Sequence, residues 1–304
     1  MILNLCSNDY ANFMDDMTKA MKTAGLKVTA AKRNPHEFGY KDEVGIPSHA
    51  ALLDLIRKAE IIQIFHSDLR LYNLAIATNP KAKRIMYHTG SLYRQNPDKY
   101  NQAIDPQTKI VHALGEFMTL GAPKPLYIVG AINTNKILPS SFDRVSVRTP
   151  RTFGHFPSSK INKGTALIER LMESHLDINY ITSGTLLPHP DHMDRIREVD
   201  ILIELFSPTQ AGKKYGSWGI TCLEAAAMGK AIITQNLSDQ VYREHYGDHP
   251  LILVQNPQEF HEAINALRDM SHSDLFELKM KTWKWVVENH SYAATGRYIK
   301  DNIL

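Results

Sequence analysis

Short apolar runs alternate with amphipathic stretches along almost all of this 304-residue chain. In the first half the runs fall at 2–6, 26–30, 60–65, 83–88, 109–113 and 125–129. Each is too short for a stable helix and largely apolar, as a strand buried on both faces must be. Between them, Met14, Met17, Ala20, Met21 and Ala24 recur at helical spacing until Gly25 stops the helix. Ala50, Leu52, Leu53 and Ile56 mark another helix, with Ser48 as its N-cap. Such alternation predicts an α/β protein with parallel sheets covered by helices on both faces.

The pattern breaks at 131–150, AINTNKILPSSFDRVSVRTP, which is rich in Asn, Ser, Thr and Pro and has no period. This reads as a crossing between domains. A second series follows: strand 151–156, helix 163–174, strand 177–182, helix 190–198, strand 199–206, helix 220–229, strands 230–234 and 250–254, and helix 257–269. Helical stretches 273–289 and 291–303 close the chain. Two domains are expected, 1–145 and 146–304, in keeping with the length, and the last helix can cross back to the first. Ligands of open parallel sheets bind beyond the carboxyl ends of the strands. The loops to watch are therefore 7–12, 66–68 and 88–94, then 156–163, 183–189, 207–219 and 235–240. Two such sheets facing each other predict a two-substrate enzyme with one substrate on each domain.

Several classes drop out. No stretch approaches the roughly 18 apolar residues of a membrane-spanning helix, and the N-terminus lacks the basic segment of a signal peptide. Cys6 and Cys222 both sit in apolar runs and read as buried thiols of a reducing, cytoplasmic compartment. No Cys/His cluster has metal-ligand spacing, so no metal is expected. The net charge of +3 is uneven: residues 1–145 hold 18 Lys and Arg against 13 Asp and Glu, and the rest hold 17 against 19. A basic first half fits an anionic partner; solvated surface lysines are the simpler reading.

Two segments of the second half carry chemistry. In 216–234, GSWGITCLEAAAMGKAIIT, a loop with Gly216 and Gly219 opens a small-residue helix that ends at Gly229. Glycines let a backbone approach a ligand, and a helix N-terminus attracts phosphate. Glu224, among Cys222, Leu223 and the alanines, needs a partner. A sugar diol would serve, and so would an internal salt bridge. In 154–168, GHFPSSKINKGTALI, Lys163-Gly164 sits at a helix start, where cations are unfavourable unless an anion is shared. The order is not that of a Walker A loop.

Together these segments resemble the donor domain of the retaining glycosyltransferases of family 4, which have the GT-B fold of two facing Rossmann-like domains. HFPSSKINKGTALIE resembles the family's strand and KG loop, and YGSWGITCLEAAAMGKAIIT its glutamate-containing glycine loop and helix. The resemblance covers about 150–255 well and the first half in layout only. Gly216 stands where the family has its first glutamate, Lys230-Ala231 replaces the usual x-Pro, and SNDYANF replaces the glycine-rich loop after the first strand.

The resemblance implies a nucleoside-diphosphate sugar as co-substrate, no separate cofactor and no metal. It implies that Glu224 holds the ribose hydroxyls and that Lys163 neutralises the diphosphate, with Lys160, Ser158 and Ser159 beside it. Gly216, Ser217, Trp218, Gly219 and Ile220 would line the donor with their backbone. MYHTGSLYR (86–94) resembles the segment bearing the family's active-site histidine, which makes His88 the catalytic candidate and His66 a lesser one. Both also fit as hydrogen-bonded core residues. Trp283 and Trp285 read as packing residues. Sugar transfer with retention is the implied reaction. The acceptor is expected on the first domain, against Asn8, Asp9, Tyr10, Ser91 and Arg94. It would be anionic: nucleic acid such as a modified DNA base, a lipid phosphate or a charged glycan. The alternatives are a nucleotide-sugar epimerase and a non-catalytic nucleotide-sugar-binding module.

Overall fold

The computed structural model describes all residues except 37, 41–43, 140–149, 184–185, 211–212 and 215. The chain divides into two compact units, Met1–Ala131 with His290–Leu304, and Ile132–Asn289. The boundary expected at 145/146 and part of the loops 183–189 and 207–219 lie outside the described residues.

The first unit runs β1 (Ile2–Cys6), α1 (Phe13–Thr23), β2 (Val28–Lys32), α2 (His49–Lys58), β3 (Ile61–Ile64), α3 (Leu69–Thr78) and β4 (Lys83–His88). Then come α4 (Ser91–Gln95), α5 (Pro97–Ala103), β5 (Lys109–His112) and the short β6 (Leu126–Tyr127). The sheet order is β2-β1-β3-β4-β5-β6, all parallel. The chain steps outward from β1 to β2, then returns to the other side of β1 at β3. The switch point therefore lies between β1 and β3, where ligands of such sheets bind. Leu3, Leu5, Ile62, Ile64, Met86 and Ile110 of the strands meet Leu52, Ile56, Leu71 and Ala75 of the helices in one core.

Local chemistry sets the element ends. Gly25, at φ +80°, closes α1: its N–H bonds Lys22 O and that of Leu26 bonds Met21 O. This is a Schellman pair. Leu26 is thereby spent on the helix end, and β2 begins at Val28, two residues later than the apolar run suggests. Ser48 caps α2 through Ala51 N at 3.3 Å, as expected.

The second unit runs β7 (Thr152–His155), α6 (Lys160–Lys163), α7 (Thr165–Met172), β8 (Asn179–Thr182), α8 (His189–Glu198) and β9 (Ile201–Ile203). A two-residue hairpin, β10 (Thr209–Gln210) and β11 (Lys213–Lys214), follows; the sequence pattern had not shown it. Then come α9 (Ile220–Ala227), β12 (Ala231–Thr234), α10 (Asp239–Tyr246), β13 (Ile252–Leu253), α11 (Pro257–Asp269) and α12 (His272–His290). The parallel sheet has the order β13-β12-β9-β7-β8, with its switch point between β7 and β9. Phe153, Ile201, Ile203 and Ile233 pack against Ile168, Phe260 and Ile264. The helix expected over 163–174 is α7, and Gly164 at φ +72° divides it from the separate short helix α6 before it.

The chain then returns to the first unit as α13 (Tyr292–Tyr298), which packs on α1. Gly296 faces the carbonyl of Ala20 so closely that a Cβ would collide with it. Tyr292 Oη donates to Asp16, Tyr298 Oη to Tyr127 O at 3.0 Å, and Lys109 Nζ to Ile303 O at 2.8 Å.

Candidate active site

The β7/β9 switch point of the second unit is built around Gly164. A Cβ there would collide with the carbonyl oxygen of Phe206, so only glycine lets the loop after β7 close on the end of β9. Phe206 N–H donates to Lys163 O at 3.3 Å across this contact. His155 fastens the same corner: Nδ1 bonds Ile203 O at 2.8 Å and Nε2 bonds Thr165 Oγ1 at 2.9 Å. Burial pushes its pKa down to about 4, so the ring is neutral at neutral pH. Ser159 caps α6 through Asn162 N at 3.3 Å. Ser158 and Lys160 are exposed.

The result is that Lys163 Nζ reaches the carboxylate of Glu204, just past β9, whose side chain is fully buried. The same oxygen, Oε1, accepts the N–H of Gly219 at 3.3 Å, and Oε2 accepts Thr234 Oγ1 at 2.8 Å. The KG loop and the glycine loop, 56 residues apart from Lys163 to Gly219, thus converge on one acidic oxygen. Glu204 was missed in the sequence, although a charge inside ILIELF was a visible signal.

Glu224 is buried on α9 and held by α8. His189 Nε2 lies 2.6 Å from Oε1 and His192 Nε2 3.9 Å from Oε2. Burial lowers the pKa of His192, and Glu224 partly offsets this. The i, i+3 histidines of PHPDHMDR were the signal for this clasp. Gly216, at φ +117°, lies against the Gln235 amide, which leaves no space for a side chain. Ser217 Oγ lies 3.3 Å from Asn236 Oδ1. Trp218 turns its ring inward, edge-on to Tyr242, His249 and Trp285, so only its backbone can line a ligand beside Gly219 and Ile220. Trp285 is a core residue that donates to Tyr242 Oη at 2.8 Å, and Trp283 is half-buried.

In the first unit a cavity of roughly 390 Å³ opens at the carboxyl ends of β1 and β3. Ser7, Asn8, Tyr10, His66 and Asp68 line it, with Arg70, Leu92 and Lys99. Two carboxylates shape it. Asp9 accepts the N–H groups of Met14 and Asp15 at 2.8 and 3.0 Å, and lies 3.2 Å from His66 Nε2. Asp68 accepts Ser7 N–H and Leu71 N–H, both at 3.0 Å, tying the end of β1 to the start of α3. Between them Ala11, Asn12, His66 and Ser67 all adopt positive φ, a conformation non-glycine residues hold only where surroundings impose it. Among the described residues, Cys6, Asp9 and His66 are the one group with metal-ligand proximity. The Asp9 oxygens there already accept backbone N–H groups, and burial together with Asp9 and Asp68 pushes the Cys6 thiol up.

The expected first-unit residues separate. Asn8 and Tyr10 share a 3.3 Å hydrogen bond, and Tyr10, 44% exposed, stands edge-on to His66 at 5.2 Å. Ser91 is exposed. Arg94 is not directed at the cavity: it grips Glu116 at 2.6 Å and covers the Phe117 ring. His88 is a correction to the sequence reading, because it has no exposed surface. Its ring stacks on Tyr93 at 4.0 Å, and Nδ1 bonds Ser67 Oγ at 2.8 Å. Burial and the neighbouring His112 drive its pKa to about 2. The strand-end histidine at the cavity is His66.

The sequence matches no known protein-family model and no curated protein. Solved structures do match over the full length. An alpha-glucosyltransferase in complex with UDP and a 13-mer DNA containing an HMU base superposes with a TM-score of 0.69 at 10% identity, covering 99% of this chain and 98% of that one. Anabaena Alr3699/HepE in complex with UDP and glucose gives 0.67 at 11% identity, covering 100% and 99%. Sucrose-phosphate synthase from Thermosynechococcus elongatus gives 0.64 at 11%, covering 99% and 97%. No helix of the described residues is long and apolar enough to cross a membrane. At these identities the likeness establishes architecture: the chain has the two parallel-sheet α/β domains of GT-B glycosyltransferase structures.

Proposed function

We propose that this protein is a glycosyltransferase that moves a sugar from a nucleoside-diphosphate sugar to an acceptor hydroxyl, with retention of configuration. The observation that carries the reading is the convergence of Lys163 Nζ and the Gly219 N–H on one point at the β7/β9 switch. A cation and a backbone donor at a helix start, gathered here on the Glu204 carboxylate, are the equipment for an anion. UDP or UDP-glucose is named in the matched complexes, so a uridine donor is the first to test.

In this reading Lys163, with Lys160 and the N-terminal N–H groups of α9, stabilises charge growing on the leaving diphosphate. Those groups do the work of a divalent cation, so turnover should survive a chelator. Glu224, oriented by His189 and His192, holds the ribose hydroxyls. The acceptor enters the first-unit cavity, where Arg70 and Lys99 favour an anion and Tyr10 offers a ring face. Nucleic acid bearing a hydroxyl is the acceptor to try first, in keeping with the DNA complex among the matched structures.

The test is transfer of labelled glucose from UDP-glucose to hydroxymethylated DNA in EDTA, with the product's anomeric configuration read by NMR. Replacing Glu224 by Ala should weaken UDP binding by about 1.5–3 kcal/mol, the range for hydrogen bonds to a charged group. Unchanged UDP affinity in a folded Glu224→Ala protein would reject the donor assignment. DNA affinity should fall steeply between about 50 and 200 mM salt; a flat response would reject a polyanionic acceptor.

A further inference from the structure

Glu204 is the residue this fold has least reason to contain. It follows Ile201, Leu202 and Ile203 directly, and its side chain has no solvent exposure. A carboxylate in such a place is costly unless donors surround it. They do: Lys163 Nζ and Gly219 N–H on Oε1, and the Thr234 hydroxyl at 2.8 Å on Oε2. The two donors on Oε1 are the two assigned above to the diphosphate.

We propose that Glu204 is an internal counter-anion that holds the diphosphate's partners while the donor is absent and then repels the product. This rests on the donor-site reading. Thr234 anchors Oε2, so the carboxylate stays in place. Lys163 is the mobile partner: it ends a four-residue helix, borders Gly164 and retains 16% exposure. A Cβ on Gly219 would lie 3.5 Å from Lys163 Nζ and 3.7 Å from Glu204 Oε1, so bare backbone leaves the ammonium room to turn. An arriving diphosphate takes Lys163 and the Gly219 N–H and then faces a fixed like charge.

That charge discriminates along the reaction. A nucleoside diphosphate released by transfer carries one more ionisable phosphate oxygen than the sugar-linked donor. Glu204 therefore opposes the product more than the substrate. It is a positioning residue that keeps Lys163 poised and hastens product departure.

The experiment is calorimetric titration of the full chain with UDP, UDP-glucose and uridine, comparing wild type with Glu204→Gln. The amide preserves shape and the Thr234 contact while removing the charge. UDP should bind at least about tenfold tighter to the variant, the effect of one like charge removed at close range. UDP-glucose should gain less and uridine nothing. In steady-state assays kcat and KM should both fall, because tighter product slows release. Glu204→Leu, which restores the apolar pattern, is the second variant and carries the same expectation should the first fold poorly. UDP binding to either folded variant equal to or weaker than wild type would overturn the proposal while leaving the donor site standing. Wild-type protein that binds none of the three would remove the donor site and this inference with it.

Discussion

In the second unit the loops beyond the strands turn on glycine, Gly164 at φ +72° and Gly216 at φ +117°. In the first they turn on Ala11, Asn12, His66 and Ser67, at φ between +53° and +61°. Glycine enters that region freely, while other residues are held there at a cost of about 1–2 kcal/mol each. Gly164 presses on the Phe206 carbonyl and Gly216 on the Gln235 side chain, and these loops offer N–H groups and a lysine, which suits a ligand recognised by charge. The loops after β1 and β3 keep side chains at every position and are braced by Asp9 and Asp68, so what they offer a ligand is side chains, Arg70 and Lys99 among their neighbours. One half thus presents backbone donors and a lysine beyond its strands, and the other presents side chains.

The comparison breaks first at Gly164. Gly164→Ala should cost more than about 3 kcal/mol of stability in urea denaturation, since it combines positive φ with a backbone collision. A loss below about 1 kcal/mol would refute the close-approach account.

Lys163 comes next. Because Lys163→Ala alone strands a buried Glu204, the fair variant is Lys163→Ala with Glu204→Gln, measured against Glu204→Gln. Turnover should drop on the order of a hundredfold, with a smaller loss of UDP affinity. Preserved turnover with raised KM would make Lys163 a binding residue only.

Acid sharpens the contrast further. Burial lowers His175, His192 and His249 of the second unit modestly; it depresses His88, His112 and His290 of the first unit to about 2, 4 and 3, against about 4 for His155 of the second. Each folded pKa lies below the unfolded value near 6.5, so the unfolded chain binds more protons as pH falls. Stability present above pH 6.5 is therefore lost on acidification toward the folded pKa. Between pH 7 and pH 5 each of the latter four histidines should remove roughly 2 kcal/mol. With three of these four large shifts in the first unit, hydrogen exchange should show it opening before the second. Equal loss in both would mean the three first-unit rings are hydrated.

The smallest effect is the mirror of the first. Ala11→Gly relieves positive φ but frees the unfolded chain, so stability should stay within about 0.5 kcal/mol. A loss above about 1 kcal/mol would show that Ala11 is held by packing and not by the Asp9 brace.

The alternation of strands and helices was legible because it is a local property, and Gly25, Ser48 and Gly216 marked turns through their own backbone chemistry. The two loops that meet at the β7/β9 switch point stood out because glycines and lysines near helix starts are visible in the chain. What escaped is relational. Glu204 faces Lys163 from 41 residues away, and Glu224 takes His189 from 35. Arg94 meets Glu116 only because β5 brings it alongside. His88 and His66 both end apolar runs, and strands buried on both faces give no alternation to say which ring turns inward. Only the positive φ at His66 separates them, and backbone angle is not written in residue type.

The return of α13 to the first unit has a consequence for how the chain is made. The first unit is interrupted in sequence by the whole of the second, and α1 waits for Gly296, Tyr292 and Tyr298 to cover it. These residues leave the ribosome after every strand of both sheets. Until α13 docks, α1 shows solvent the face at Asp16, Ala20 and Ala24 against which Tyr292 and Gly296 come to pack. The unit encoded first is therefore closed by the helix encoded last.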